Sequence, residues 1–179
     1  PSDAYTEPII LKSLLASGRL NIKGEQLGIN DLSLQVDDSK LSGHIHWIPQ
    51  TEPLTATLTL LNSNLAISQV KRWIPEHQES LQQFKQNLHD QGSVQIKQAQ
   101  LTLHKDSEAQ KKWRLDQIDG ELQQIGWTIA KAPKIALDSL PFTFANNNWR
   151  INNGKSLFGP LQLSIDGAGE YAEDGLILS

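Results

Sequence analysis

Two histidines, His44 and His46, stand two positions apart in Gly-His-Ile-His-Trp, a spacing that on a β-strand projects both imidazoles from one face. Imidazoles placed this way supply two ligands of a zinc or copper site. The closest carboxylates, Asp37, Asp38 and Glu52, fall in expected turns, so nothing completes a coordination shell. The pair reads as polar-face residues with Ile45 and Trp47 on the opposite side. Asp116, Asp119 and Glu121 have the residue type for general acid and base work, but no apolar pocket or partner accompanies them, and they read as solvated strand residues. Gly154, Gly159, Gly167 and Gly169 are scattered, and Gly167-Ala168-Gly169 leads into Glu170-Tyr171 instead of a helix, which excludes a phosphate-cradling loop. The chain has no cysteine, so disulfides, thiolate metal sites and cysteine nucleophiles are all removed. No Gly-x-Ser-x-Gly elbow is present. The residues describe a non-enzyme, with no cofactor and no metal expected.

The elements that carry these residues share one rhythm. Leu20-Asn21-Ile22-Lys23, Leu32-Ser33-Leu34-Gln35-Val36-Asp37, Leu54 to Leu60, Val94-Gln95-Ile96-Lys97, Leu101-Thr102-Leu103-His104, Phe142-Thr143-Phe144, Trp149 to Asn152 and Leu161 to Asp166 all alternate apolar with polar residues. Period-2 alternation predicts strands with one apolar and one wet face, in sheets that are mostly antiparallel. Trp47, Trp113, Trp127 and Trp149 share parity with aliphatic neighbours, which assigns them to core or sheet-edge packing. Helical spacing is confined to three places: residues 8–17, ended by Gly18; Ser68 to Ile74, ended by Pro75; and residues 76–90, where Leu81, Phe84 and Leu88 recur at intervals of 3 and 4 and Gly92 stops the run. Turns or loops are expected at Lys23 to Gln26, Asp37 to Lys40, Pro49 to Pro53, Lys105 to Lys112 and Ala145 to Asn148, and a bend at Gly120.

At 179 residues with 38% hydrophobic content, the chain can bury a substantial core. Its net charge of −4, with dispersed lysines and arginines, argues against nucleic acid as a partner. No apolar run approaches the roughly 20 residues that span a bilayer. No methionine stands at the start or anywhere else, so the chain is expected to derive from a longer one, with any leader or membrane anchor in the missing part. An internal echo links Gly18-x-Leu20-x-Ile22-Lys23-x3-Leu27-x-Ile29 to Gly92-x-Val94-x-Ile96-Lys97-x3-Leu101-x-Leu103 at a constant offset of 74 positions (92 − 18). It suggests two units, 1–75 and 76–179, the second continuing the sheet of the first.

In the first 75 residues an expected short helix is followed by Gly-Arg-Leu-Asn-Ile-Lys, Leu-Gly-Ile-Asn-Asp-Leu-Ser-Leu-Gln-Val, a turn, Leu-Ser-Gly-His-Ile-His-Trp, the alternating Leu-Thr-Ala-Thr-Leu-Thr-Leu, and a closing helix with Arg72-Trp73-Ile74-Pro75. From about Pro8 to Pro75 this order resembles the AsmA-like family of Gram-negative envelope proteins. Leu-Ser-Gly-His departs from the glycine-richer, bulkier text frequent there. The resemblance implies an α+β, β-rich fold: a strongly curved, mostly antiparallel sheet with short amphipathic helices. It also implies a parent anchored in the inner membrane and projecting into the periplasm, and a role in outer-membrane biogenesis. Phospholipid or another acyl-chain lipid would pass along an apolar groove, with envelope proteins as further partners. On that reading the lining is Leu20, Ile22, Leu32, Leu34, Ile45, Trp47, Leu58, Leu60, Val94, Ile96, Leu101 and Leu103. The alternative is a structural or protein-interaction module of an envelope assembly with a closed core.

Overall fold

The computed structural model describes residues 12–48, 55–73, 82, 85–105, 111–128, 134–172 and 175–178. Among the described residues ten strands form a single sheet in strict sequence order: β1 (Leu14–Lys23), β2 (Gln26–Val36), β3 (Ser39–Ile48), β4 (Thr55–Ala66), β5 (Ser93–Lys105), β6 (Lys111–Trp127), β7 (Ile135–Ala145), β8 (Asn148–Phe158), β9 (Leu161–Ala172) and β10 (Gly175–Leu178). Every neighbouring pair is antiparallel, and the sheet is not closed: β1 and β10 are its two edges. A short helix, α1 (Ile67–Trp73), follows β4, close to the helix expected at Ser68 to Ile74.

Two-residue turns connect several strands, each with the chemistry its geometry demands. Gly24 and Gly159 open the β1–β2 and β8–β9 turns at φ of 60° and 59°, the first-position glycine of a type II′ hairpin. Asn146 and Asn147, at 52° and 61°, form the β7–β8 turn, where type I′ geometry needs both residues left-handed. Asp37-Asp38 joins β2 to β3 as expected, with Asp37 at 49°.

Three local expectations change. Residues 14–17, read as the end of a helix, are strand, and Gly18 lies inside β1 instead of terminating a helix. The reason is that Leu14, Ala16, Leu20 and Ile22 also fit period 2, and a ladder with β2 from Leu14↔Val36 to Lys23↔Gln26 outcompetes a helix too short to be stable by itself. Residues 8–11 of that reading lie outside the described residues. Within 76–90, residue 82 and residues 85–87 are helical, but Leu88 forms a bridge to Trp127, so the helical part ends before Leu88; Leu81 and Phe84 lie outside the described residues. β6 runs through Gly120 without a break, and Lys105, Lys111 and Lys112 are strand residues, with 106–110 outside the described residues.

The sheet continues across the helical insertion, because β4 pairs directly with β5 from Ala56↔Leu103 to Ala66↔Ser93. The stretches related by the 74-residue offset are built differently. Leu20 and Ile22 belong to β1 while Leu27 and Ile29 lie across a turn in β2, whereas Val94, Ile96, Leu101 and Leu103 all belong to β5.

Asp37 fastens the β2–β3 turn to two other elements. Its Oδ1 accepts the backbone N–H groups of Lys12 and Ser13, both at 2.8 Å, and its Oδ2 accepts the Gln69 side-chain amide at 2.5 Å and faces Arg72 Nη1 at 3.3 Å. The carboxyl is held below its ordinary pKa of 3.8, first by the Ser13 N–H and then by Gln69, Lys12 and Arg72, against the opposing effect of burial. A lowered folded-state value means the unfolded chain binds the proton more readily, so this contribution is complete only well above the unfolded value of 3.8 and is lost as pH falls toward and through the folded value. The denaturation midpoint of Asp37→Asn is therefore expected below that of the parent at neutral pH. The gap should hold down to about pH 5 and shrink below it in a urea series extended toward pH 3.

Candidate functional site

The register assembles the alternating residues into rows that cross the sheet. One row is Ile22, Leu27, Trp47, Ala56, Leu103 and Trp113; the next is Leu20, Ile29, Ile45, Leu58, Leu101 and Leu115. Leu32, Gly43, Leu60, Ala99, Ile118, Phe144 and Trp149 make a third. Leu34 sits beside Ala16 and Leu41. Ile96 lies beside Ser63 and Gly120, and Val94 beside Leu65 and Leu122. Directly paired residues point to the same side of a sheet, so each row keeps to one face; the two-residue steps from Ala99 to Leu101 to Leu103 in β5, and the joint burial of Leu60, Ile96 and Ala99 against Leu41, Val94 and Leu101, bring all twelve residues proposed from sequence to the same side. The pairing adds Leu27, Ile29, Leu41, Leu65, Ile118 and Leu122, whose alternation was visible but whose neighbours were not.

Bulges keep this face apolar. In β2 the apolar positions are Leu27 and Ile29, then Leu32, Leu34 and Val36, a change from odd to even that would turn half the strand outward in a regular ladder. The register shifts between Ile29 and Leu32, where Asp31 adopts φ 50°. Asn62 at 46° does the same between Leu60 and Leu65, and Asn153 at 54° between Ile151 and Phe158. One extra residue at each point restores the parity, and Asn and Asp are the side chains that tolerate the left-handed region best. Ser63 secures the β3–β4 shift: its hydroxyl accepts the Ser42 N–H at 2.9 Å and donates to the Ser42 carbonyl at 3.2 Å.

The face is partly covered. Ile67 of α1 and Leu88 pack with Ile125 against Val94, Leu122, Trp127 and Leu137, closing the β4–β7 end of the face. The Leu88 segment is tied down by Lys71 Nζ, which donates to the Leu88 carbonyl at 2.7 Å and the Asp90 carboxylate at 2.6 Å, and by two backbone bonds, His89 N–H to Gly126 and Thr128 N–H to Asn87. The second buried cluster, Leu60, Ile96 and Ala99, is packed by Leu41, Leu58, Leu65, Val94, Leu101 and Ile118, all of them sheet residues. Toward β1 the face opens: Leu20 is 69% and Ile22 64% exposed.

The opposite face carries the polar side chains. His44 and His46 lie on it, beside Thr59 and Thr57. His44 shares an open hollow with Arg19, Asn30, Asp31, Lys40 and Asn62, in which Arg19 is already paired with Asp31. The carboxylates of the β6 set are engaged separately: Asp116 by Thr102 and Arg114, Asp119 by Lys97 at 3.6 Å, and Glu121 by the Ser139 hydroxyl at 2.5 Å. Among the described residues no three His, Asp or Glu side chains converge on a point where they could hold a metal ion. No helix among the described residues is long and apolar enough to cross a membrane. Comparison with protein-family models, curated proteins and solved structures finds no match for the chain. The one-sided sheet is thus the feature from which a function must be argued.

Proposed function

We propose that the chain is a non-enzymatic segment of an AsmA-like periplasmic protein, whose sheet bends into a trough and shelters or passes the acyl chains of a lipid during outer-membrane biogenesis. The observation that carries this reading is the apolar face itself: it is maintained from β1 to β9 by register and by parity-restoring bulges, and outside the Leu88 region its described packing partners come from the sheet alone. Burial of Ile96 and Ala99 among sheet residues supports a concave face, since a flat sheet would leave such side chains open on one side. An acyl chain laid along the rows would gain about 0.8 kcal/mol per methylene withdrawn from water, with no reactive group required. The family resemblance supplies the periplasmic setting and the inner-membrane anchor of the parent. The competing reading, an interaction module with a closed core, draws its support from the Ile67–Leu88–Ile125 cluster, where the protein covers its own apolar surface.

Native mass spectrometry after mild extraction is expected to show bound phospholipid, and the purified protein is expected to take up a fluorescent fatty acid. Leu58→Asp, on the apolar face, should lower that uptake at least tenfold. Thr57→Asp, one position earlier and on the polar face, should leave it within about twofold. Circular dichroism of both variants separates loss of binding from loss of fold. A folded parent protein that carries no lipid and takes up no fatty acid would refute the carrier and favour the closed module.

A further inference from the structure

The edge strand β1 is complementary to itself. Among the described residues it has no neighbour on its outer side, yet it is ten residues long and carries three of the most exposed large apolar side chains of the sheet, Leu14 at 58%, Leu20 at 69% and Ile22 at 64%. It is also regular: the irregularity opposite Gly18 belongs to β2, where Asp31 is the extra residue. Long, regular apolar edges are usually blunted by bulges, inward charges or a covering element, and the described part of β1 has none of these on its apolar side.

We propose that two copies of this chain pair through their β1 strands, antiparallel about a two-fold axis at Gly18. In that register Leu14 lies opposite Ile22 of the second copy and Ala16 opposite Leu20, each twice, while the two Gly18 residues meet at the axis. On the polar face Ser17 falls opposite Arg19, Leu15 opposite Asn21 and Ser13 opposite Lys23, so no two like charges are juxtaposed. Antiparallel pairing about a two-fold normal to the sheet keeps each face on its own side. The apolar rows beginning at Leu20 and Ile22 therefore run into their own copies, and a ten-stranded surface becomes a twenty-stranded one. An isologous contact of this kind closes on itself and yields a dimer, not a fibre. The inference does not depend on what occupies the apolar face.

Sedimentation of the full chain between about 1 and 100 µM is expected to show a dimer of twice 19.9 kDa. Leu20→Asp, at a position too exposed to matter for the monomer's core, should weaken the dimer at least tenfold while leaving the circular dichroism spectrum unchanged. The register is tested in a chain that has no native cysteine. The double variant Ser17→Cys, Arg19→Cys should crosslink to a covalent dimer on mild oxidation, and Ser17→Cys alone should not, because like residues are out of register. A parent chain that stays monomeric at 100 µM, a dimer indifferent to Leu20→Asp, or equal crosslinking by the single and double variants would each overturn the proposal.

Discussion

Gly43→Ala is expected to destabilise the protein by about 3 kcal/mol or more, at the upper end of what overpacking costs. A Cβ at this position would collide with the carbonyl oxygen of Thr59 and stand 3.1 Å from the Cα of Leu60. Both are backbone atoms of the neighbouring strand, so no side-chain rotation relieves the contact and β3 would have to part from β4. The cause lies in the register shift between Lys40 and Gly43, opposite the bulge at Asn62, which brings the β4 backbone in where only a hydrogen fits. Gly167→Ala makes the control: there an added methyl meets the Trp149 ring at 3.5 Å, an ordinary van der Waals distance, and the change should stay within about 1 kcal/mol. Urea denaturation of the two variants tests the pair. A Gly43→Ala midpoint equal to that of Gly167→Ala would show that the strands separate at little cost.

Leu88→Ala carries the second large effect. Leu88 is 4% exposed and fills the space between Ile67 and Ile125, so truncation is expected to cost about 2–4 kcal/mol from lost burial and the cavity left behind. Its consequence is local. The segment is held by Lys71, through the Leu88 carbonyl and the Asp90 carboxylate, and by the backbone bonds of Asn87 and His89 to Thr128 and Gly126. Hydrogen exchange should therefore show the amides of His89 and Thr128 losing protection while those of β1 to β3 keep theirs. Uniform loss across the sheet would mean instead that this cluster nucleates the whole fold. If the carrier reading is right, the same variant uncovers apolar surface at Val94, Leu122 and Leu137, and fatty-acid uptake should hold or rise while stability falls.

Much of this architecture was legible in the residues. The alternation of Leu32-Ser33-Leu34, Leu58-Thr59-Leu60 or Phe142-Thr143-Phe144 reports period 2 directly, because one side of each strand faces water. The polar assignment of His44 and His46 follows from the same parity. The apparent breaks in the alternation were harder to interpret. Asn30-Asp31 or Asn152-Asn153 looks like the end of one strand and the start of another, but the structure passes straight through each with a left-handed residue. The usable signal is the pairing of an Asn or Asp with a change of parity among the flanking aliphatics. Leu14 to Ser17 misled for a different reason: a short stretch dense in leucine satisfies both helical and strand periods, and only the partner strand decides. The spacing of Leu81, Phe84 and Leu88 puts Leu88 on a helix face, whereas its backbone bridges to Trp127, a contact between residues 39 positions apart that local pattern does not carry.

The strictly sequential strand order has a consequence for how such a surface changes over time and comes apart. Among the described residues every strand is bonded only to its predecessor and successor in the chain, so the sheet behaves as a one-dimensional stack of nearest-neighbour contacts, with little entropy spent on closing distant loops. Loss of structure should start at the edges and move inward one strand at a time. The same property makes length an evolvable quantity. A hairpin can be gained or deleted at almost any turn, lengthening or shortening the surface by about 10 Å while leaving the residues on either side paired as before.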